Sequence, residues 1–168
     1  KMLSILTRIF GLKNLETIED AVQDTFVNAM QKWRDHIPEN PEAWLTLAAK
    51  NRAIDLLRKV EADNKRVKQL DNGPQAMALD SLFMDDQIED SQLRMIFTAC
   101  HPKLHARDQI AFALKTIGGF STKEIASALL LKSDTVKKRL TRARKSIKEN
   151  DIKFDLPAQA NLRSRLAR

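Results

Sequence analysis

The sequence predicts an all-α protein: two small helical domains joined by an acidic linker, with a helix-turn-helix in the second. The 168 residues include only 4 Gly, 5 Pro and no Tyr, while strong helix formers such as Leu, Ala, Lys and Glu dominate. Apolar residues recur at spacings of three and four, and no alternating run with a hairpin turn is present. The charge also changes sign along the chain, from a net −5 over residues 60–90 to a net +9 over residues 91–150. Two small domains fit this length.

The composition excludes several classes of protein. With 43% apolar and 30% charged residues, the chain can bury a core and is not disordered. No apolar run is long enough to span a membrane, and no signal-peptide pattern is found. The single cysteine, Cys100, excludes a disulfide framework and favours a cytoplasmic protein. Because the chain lacks a glycine-rich phosphate loop, a metal-ligand spacing and a catalytic triad, we expect no metal, no cofactor and no enzyme activity.

The first domain is predicted to begin with a helix that buries one apolar stripe. The stripe consists of six residues, namely Leu15, Ile18, Val22, Phe26, Ala29 and Trp33. The other faces carry acidic and amide side chains, including Asp20, Gln23 and Asp24. Acidic residues near a helix start can simply complement the helix dipole, or they can bind a basic partner, and both interpretations remain open.

A second helix should follow the prolines. Asn40 is a good N-cap, and Pro41 suits the first helical position. The predicted buried stripe is formed by Leu45, Ala49, Ala53, Leu56 and Val60, and the opposite side carries Lys50, Asn51, Asp55 and Arg58. Trp44 lies in the first turn, where it is either packed core or, beside a basic face, a platform on which a nucleic-acid base stacks.

Residues 61–90 are predicted to form the linker. The stretch 60–90 holds 8 acidic and 3 basic residues, shows poor helical periodicity, and contains a strong turn signal at residues 71–74. Beyond it, two short helices are expected. The first buries Leu93, Ile96, Phe97 and Cys100, so we predict a buried, unreactive thiol, and the second buries Ile110, Ala113, Leu114 and Ile117 and ends at Gly118-Gly119.

The next two helices have the spacing of a helix-turn-helix. Ser121 and Glu124 form a capping box, followed by inward-facing Ile125, Ala128 and Leu129. The turn, residues 130–132, contains no glycine, and Ser133 can cap the second helix. The buried stripe of that helix consists of Val136, Leu140, Ala143 and Ile147.

The second helix of this pair is strongly cationic. Residues 132–148 carry eight basic side chains and a single acid, Asp134. Like charges on one face repel each other, so this arrangement favours a polyanionic partner over a merely solvated surface. With the helix N-terminus in the major groove, the residues expected near base edges or nearby phosphates are Thr135, Lys137, Lys138 and Arg139. Arg142 and Lys145 should instead bind the phosphate backbone. Arg139 borders the buried stripe, so pairing with Glu124 or packing of its stem is the alternative.

Two sets of motifs resemble one family, the bacterial RNA polymerase sigma factors of the extracytoplasmic-function type. In the second domain the motifs are Glu124-Ile125-Ala126, Thr135-Val136-Lys137, Arg139-Leu140 and Arg142-Ala143-Arg144. In the first domain, residues 19–26 resemble the segment that docks on the coiled coil of the polymerase β′ subunit, and residues 41–45 with 48–58 resemble the segment that meets the −10 element. Two motifs in the expected order are far more specific than either alone.

The resemblance implies a role for each matching residue. Core polymerase, through its β′ and β subunits, would be contacted by Asp20, Gln23, Asp24 and Phe26. The −10 DNA would lie near Trp44, Lys50, Asn51, Arg52 and Arg58, and the loop from Trp33 to Asn40 would capture an unstacked base. The −35 element would be read by Ser133, Thr135, Lys137, Lys138, Arg139, Arg142 and Lys145. The acidic linker would thread through the polymerase, where its charge mimics nucleic acid.

The resulting domain assignment is residues 1–60 for core polymerase and the −10 element, 61–90 for the linker, 91–150 for the −35 element and 151–168 for a tail or the start of a C-terminal extension. Because the chain begins at Lys1, we expect further chain ahead of the first helix. Residues 93–102 resemble family members with a long C-terminal extension, so that extension or an anti-sigma factor is a further candidate partner. The competing interpretation is a helix-turn-helix regulator that does not replace a sigma subunit; it leaves the first domain unexplained.

Overall fold

The computed structural model describes residues 1–34, 36–63 and 85–157. Within these ranges the chain forms α-helices and one 3-10 turn, and no strand. The helices are α1 (Met2–Phe10), α2 (Leu15–Lys32), α3 (Pro41–Asp63), α4 (Asp85–Ala99), α5 (Ala106–Thr116), α6 (Thr122–Ala128) and α7 (Ser133–Glu149), with the 3-10 turn at Leu12–Asn14. This all-α architecture confirms the predicted fold class. The helices divide into two compact units, α1 to α3 and α4 to α7.

The first unit is held together by the packing of α1 and α3 against α2. Leu6, Ile18 and Ala49, one residue from each helix, form a fully buried cluster. The small side chain of Ala49 allows close approach of the helix backbones. As predicted, Asn40 caps α3: its side-chain oxygen accepts a hydrogen bond from the Ala43 backbone N–H at 3.0 Å, and Pro41 begins the helix.

The second unit is built around α7, which packs on α5 and α6. Its central cluster combines Ala111 of α5, Ile125 and Ala126 of α6, and Val136 and Leu140 of α7. The predicted stripe of α7 is buried along its whole length. The capping box that begins α6 is also present, with both of its hydrogen bonds formed.

The turn between α6 and α7 contains no glycine, and one of its residues adopts an unusual backbone conformation. Leu130 adopts a positive φ of 53°, in the left-handed region that glycine normally supplies. Its side chain is almost fully exposed, at 93%. The N-cap of α7 is Lys132, and no side chain caps the helix, so the prediction that Ser133 caps it is wrong by one residue.

The predicted stripes of α2 and α3 are mostly buried, as Ile18 and Ala49 show, but several residues predicted to be buried are exposed. Phe26 and Val60 in the first unit are exposed, as are Leu93, Ile96, Ile110, Ile117 and Ala128 in the second. Small or hydroxyl-bearing residues are buried in their place, such as Thr25 in α2 and Thr98 in α4. Each of these threonine hydroxyls donates to the carbonyl four residues earlier at 2.8 Å, so its burial leaves no polar group unsatisfied. Apolar character alone therefore misplaced these residues.

The predicted burial of Cys100 is also wrong. Helix α4 ends at Ala99, so Cys100 falls in the turn that follows and its side chain is exposed. The helices also extend past the predicted linker limits, because α3 continues to Asp63 and α4 begins at Asp85. The turn signal at residues 71–74 lies outside the described residues.

Candidate nucleic-acid interface

The cations of α7 lie on the faces that its buried stripe leaves open. Lys137, Lys138 and Lys145 are exposed, and Arg139 is half-buried. Thr135 and Ser133 are half-buried in the first turn. The structure therefore brings the seven residues predicted to meet the −35 element together on one helix.

Two of these lysines have acidic partners, and both pairs are weak. Lys137 lies 3.3 Å from Asp134, and Lys145 lies 3.6 Å from Glu149, with all four side chains mostly exposed. Exposed ion pairs contribute about 0–1 kcal/mol and are screened by salt. Lys138 has no ion pair among the described residues. These three ammonium groups are consequently available to a polyanion at little energetic cost.

A second side of α7 is bonded to the start of α5 and to the turn before it. Arg142 Nη2 donates to Asp108 Oδ1 at 2.9 Å, and the Ser146 hydroxyl donates to the Lys103 carbonyl at 3.1 Å. Arg139 Nη1 reaches the Arg107 carbonyl at 3.5 Å, at the limit of hydrogen bonding. The side chain of Arg139 therefore does not pair with Glu124, which instead accepts the backbone N–H of Ser121 at 2.7 Å.

The capping box at the start of α6 lowers the pKa of Glu124. The backbone N–H of Ser121 donates to its carboxylate, and the Ser121 side chain adds a second hydrogen bond. Both favour the charged form and lower the pKa of Glu124 below its usual value. The helix-turn-helix thus begins with an ionised cap at neutral pH.

In the first unit, two predicted sites meet in one ion pair. Asp24 was expected to contact polymerase and Arg52 to lie near the −10 DNA. Arg52 Nε and Nη2 both donate to Asp24 Oδ2, at 2.8 and 2.7 Å. Both side chains remain partly exposed. The pair spans α2 and α3 and lines an open groove between these helices.

The exposed side of α2 combines acidic and apolar groups. Asp20, Gln23 and Asp24 are exposed, and the Phe26 side chain is 47% exposed. Val27 and Met30 extend this apolar surface along the same helix, with Met30 75% exposed. Sequence reasoning missed Val27 and Met30; their signal was an apolar residue outside the single stripe that the spacing predicted. A mixed acidic and apolar face of this kind fits a protein partner better than DNA.

The tryptophans of the first unit pack on each other. The rings of Trp33 and Trp44 lie edge to face, with centroids 5.3 Å apart and planes inclined by 64°. This is a preferred aromatic geometry, and both rings are half-buried. Trp44 therefore packs on Trp33, and the stacking of a nucleic-acid base on its remaining exposed surface stays a prediction. On the same helix Lys50 is half-buried, whereas Asn51 and Arg58 are exposed.

Other classes of site find no support in the described part of the chain. No group of three His, Cys, Asp or Glu side chains there is close enough to hold a metal ion. None of the helices within the described ranges is both long and apolar enough to span a membrane. The surfaces to be explained are thus the cationic faces of α7 and the mixed face of α2.

Comparison with known proteins identifies both units. Residues 1–62 match the family model for sigma-70 region 2, and residues 94–147 match the model for sigma-70 region 4. An uncharacterized protein of Rhizobium meliloti (strain 1021) is 31% identical over 163 residues, which cover 92% of this chain and 38% of that protein. The ECF RNA polymerase sigma factor SigE of Mycolicibacterium smegmatis is 28% identical over 144 residues, covering 81% of this chain and 52% of that protein.

The chain therefore spans about two fifths and about half the length of these two relatives. No solved structure matches the chain significantly. The two family models occur in the order that the sequence motifs indicated, and together they account for both helical units. The chain belongs to the sigma-70 family of RNA polymerase sigma factors and is of the extracytoplasmic-function type.

Proposed function

We propose that the chain directs core RNA polymerase to specific promoters and supports strand opening there. The α4 to α7 unit would bind the −35 element through α7. The α1 to α3 unit would bind the polymerase β′ subunit through α2 and the −10 DNA through α3. The chain performs no catalysis in this scheme, and the function requires a cytoplasmic location.

The observation that carries the proposal is the charge of α7. Within residues 132–148, eight cations accompany one acid, on the second helix of a helix-turn-helix whose core is complete. The N-terminal residues of such a helix meet base edges in the major groove, and more distant cations bind phosphates. The mixed face of α2 supports the polymerase contact, because acidic and apolar groups together suit a basic protein surface.

The decisive experiment is transcription in vitro from a promoter library by core polymerase, with and without this protein. We expect new start sites that depend on its addition. The Lys138→Ala, Lys145→Ala double variant should reduce initiation at all of these promoters, because it removes two positive charges from the helix proposed to bind the −35 DNA. A matched control is Lys13→Ala with Lys103→Ala, which removes the same charge from exposed positions outside α7.

Two results would contradict the proposal. The first is a set of start sites that does not change when the protein is added to core polymerase. The second is duplex DNA binding without any binding to core polymerase, which would favour the alternative of a regulator that does not replace a sigma subunit.

A further inference from the structure

Asp108 is the one charged residue among the fully buried residues that the structure describes. It lies in the first turn of α5, and its side chain is only 8% exposed. Its Oδ1 accepts a hydrogen bond from Arg142 Nη2 at 2.9 Å. The Arg142 side chain, in contrast, is 63% exposed. A buried carboxylate on one helix therefore holds an exposed guanidinium on another.

Burial affects the Asp108 carboxylate much more than the Arg142 guanidinium. A carboxylate removed from water is unfavourable unless it is paired, so Asp108 depends on Arg142 and on the positive end of the α5 dipole. Arginine carries five N–H donors, and this contact uses one of them. The remainder of the guanidinium stays on the open side of α7. Arg142 is thus held in one orientation while it keeps donors for a further partner.

The exposed lysines of α7 lack such an anchor. Lys145 pairs with Glu149, whose side chain is itself mostly exposed, and Lys137 pairs with exposed Asp134. These flexible ammonium groups act as point charges, whereas a fixed guanidinium fork can bind a phosphate in a defined geometry. Among the cations of α7, Arg142 alone has a partner that is a buried carboxylate within the described residues.

We infer that Asp108 is a positioning residue for DNA binding: it orients Arg142 so that the guanidinium binds a backbone phosphate beside the −35 site. The inference rests on the proposed function of α7. A long side chain that is already ordered loses less conformational entropy when it binds. Asp108 therefore increases DNA affinity even though it adds a negative charge near a polyanion.

The sign of this effect separates positioning from simple electrostatics. If Asp108 acted only through its charge, Asp108→Asn would bind DNA more tightly, because one repulsive group would be lost. If Asp108 were only a structural link between helices, the variant would alter stability, but the folded protein would bind DNA with an unchanged salt dependence. Positioning alone predicts weaker binding together with a smaller salt dependence.

The test measures binding of the full chain to a fluorescent duplex of mixed sequence over a series of salt concentrations. We expect Asp108→Asn to bind about two- to tenfold more weakly, which is the size of effect expected for loss of one hydrogen bond of typical net strength. The slope of log affinity against log salt should fall by about one ion, as it should for Arg142→Ala. The variant that combines Asp108→Asn with Arg142→Ala should bind no more weakly than Arg142→Ala alone. Asp134→Asn is the matched control, since it removes the same charge from an exposed pair and should not weaken binding.

A second variant covers the case in which Asp108→Asn does not fold, as judged by its helical circular dichroism. Arg142→Lys keeps the charge but loses the fork, so it should bind more weakly than wild type and more tightly than Arg142→Ala. Wild-type affinity for Arg142→Lys, or for a folded Asp108→Asn, would overturn this inference but not the proposed function of α7. A wild-type chain that binds no duplex DNA would instead overturn the proposed function of α7 and the inference with it.

Discussion

Leu130 shows how a single residue carries the geometry of the helix-turn-helix. Its φ of 53° costs a residue with a Cβ about 1–2 kcal/mol relative to the right-handed conformation. Its exposed side chain recovers almost none of this by packing. The turn is nevertheless maintained, because the flanking helices are fixed by the cluster of Ile125, Val136 and Leu140. The sequence located this turn but could not reveal the strain, which depends on backbone conformation.

Leu130→Gly is therefore expected to stabilise the protein. Glycine removes the steric cost but loses more entropy on folding, which leaves a net gain of about 0.5 kcal/mol in the free energy of unfolding. Denaturant titration would measure the gain. The converse control is Gly119→Ala: Gly119 has a φ of 72° and open space around its Cβ position, so alanine should destabilise by strain alone. A less stable Leu130→Gly protein would show that the leucine side chain contributes to the fold.

The cap of α6 should make stability depend on pH. The folded state lowers the pKa of Glu124, so its ionisation stabilises the fold fully above the usual glutamate pKa. This contribution should be lost as the pH falls through the lowered pKa. Glu124→Gln should therefore be less stable than wild type at neutral pH, and the difference should shrink in acid. The measurement is thermal melting over a pH series. Glu149→Gln is the control, because Glu149 is exposed and does not cap the start of a helix. A difference that is constant with pH would contradict the prediction.

At the scale of the helix, the pattern predicted α7 well and α2 and α4 less well. In α7 every buried position is apolar and every opposite position is polar, so a period of 3.6 residues assigns the face uniquely. In α2 and α4, Thr25 and Thr98 are buried, and apolar Phe26 and Ile96 are exposed. A threonine whose hydroxyl donates to a carbonyl of its own helix can be buried, but a pattern based on apolar residues does not include it.

The sequence also did not predict two ion pairs that join helices. Arg52 and Asp24 are 28 positions apart, and Arg142 and Asp108 are 34 apart. Spacing rules apply within one helix and contain no information on which helices pack together. The predicted site residues on α3 and α7 were therefore found as separate charges, whereas their carboxylate partners became evident only in the folded protein.

The pair between α2 and α3 leads to a prediction about Asp24. Asp24→Arg should weaken binding to core polymerase either because polymerase contacts the carboxylate, as we propose, or because Arg52 loses its partner. Exchanging the charges with Asp24→Arg and Arg52→Asp restores the pair but not the carboxylate on α2. We expect the exchanged variant to bind core polymerase as weakly as Asp24→Arg, at least tenfold below wild type if about 1.4 kcal/mol is lost.

Co-purification with core polymerase and titration of a labelled chain would measure this. Glu16→Arg is a control that adds the same charge change to an exposed position nearer the start of α2. Recovery of wild-type affinity by the exchanged variant would show that Asp24 acts through Arg52 and would remove it from the polymerase contact.

At the scale of the whole molecule, the two units differ in net charge, and each has its own apolar core. Residues 91–150, which make up most of the α4 to α7 unit, carry a net +9, and that unit buries its own apolar cluster. The α1 to α3 unit buries a separate cluster around Ile18. Composition already predicted this division, because a charge asymmetry along a chain is readable without any structure. The limits of each helix were less predictable, as the extension of α3 to Asp63 illustrates.

Because each unit has its own core, each should fold without the other. A protease site inserted between Asn72 and Gly73, followed by cleavage and separation, should give two fragments that keep their helical circular dichroism and melt cooperatively. The fragment with α4 to α7 should also retain the salt-dependent duplex binding proposed for α7, since its cations and Asp108 lie within one unit. The uncut protein with the same insertion is the control. Loss of helical signal from both fragments would mean that neither core is sufficient alone and that the two units depend on each other for stability.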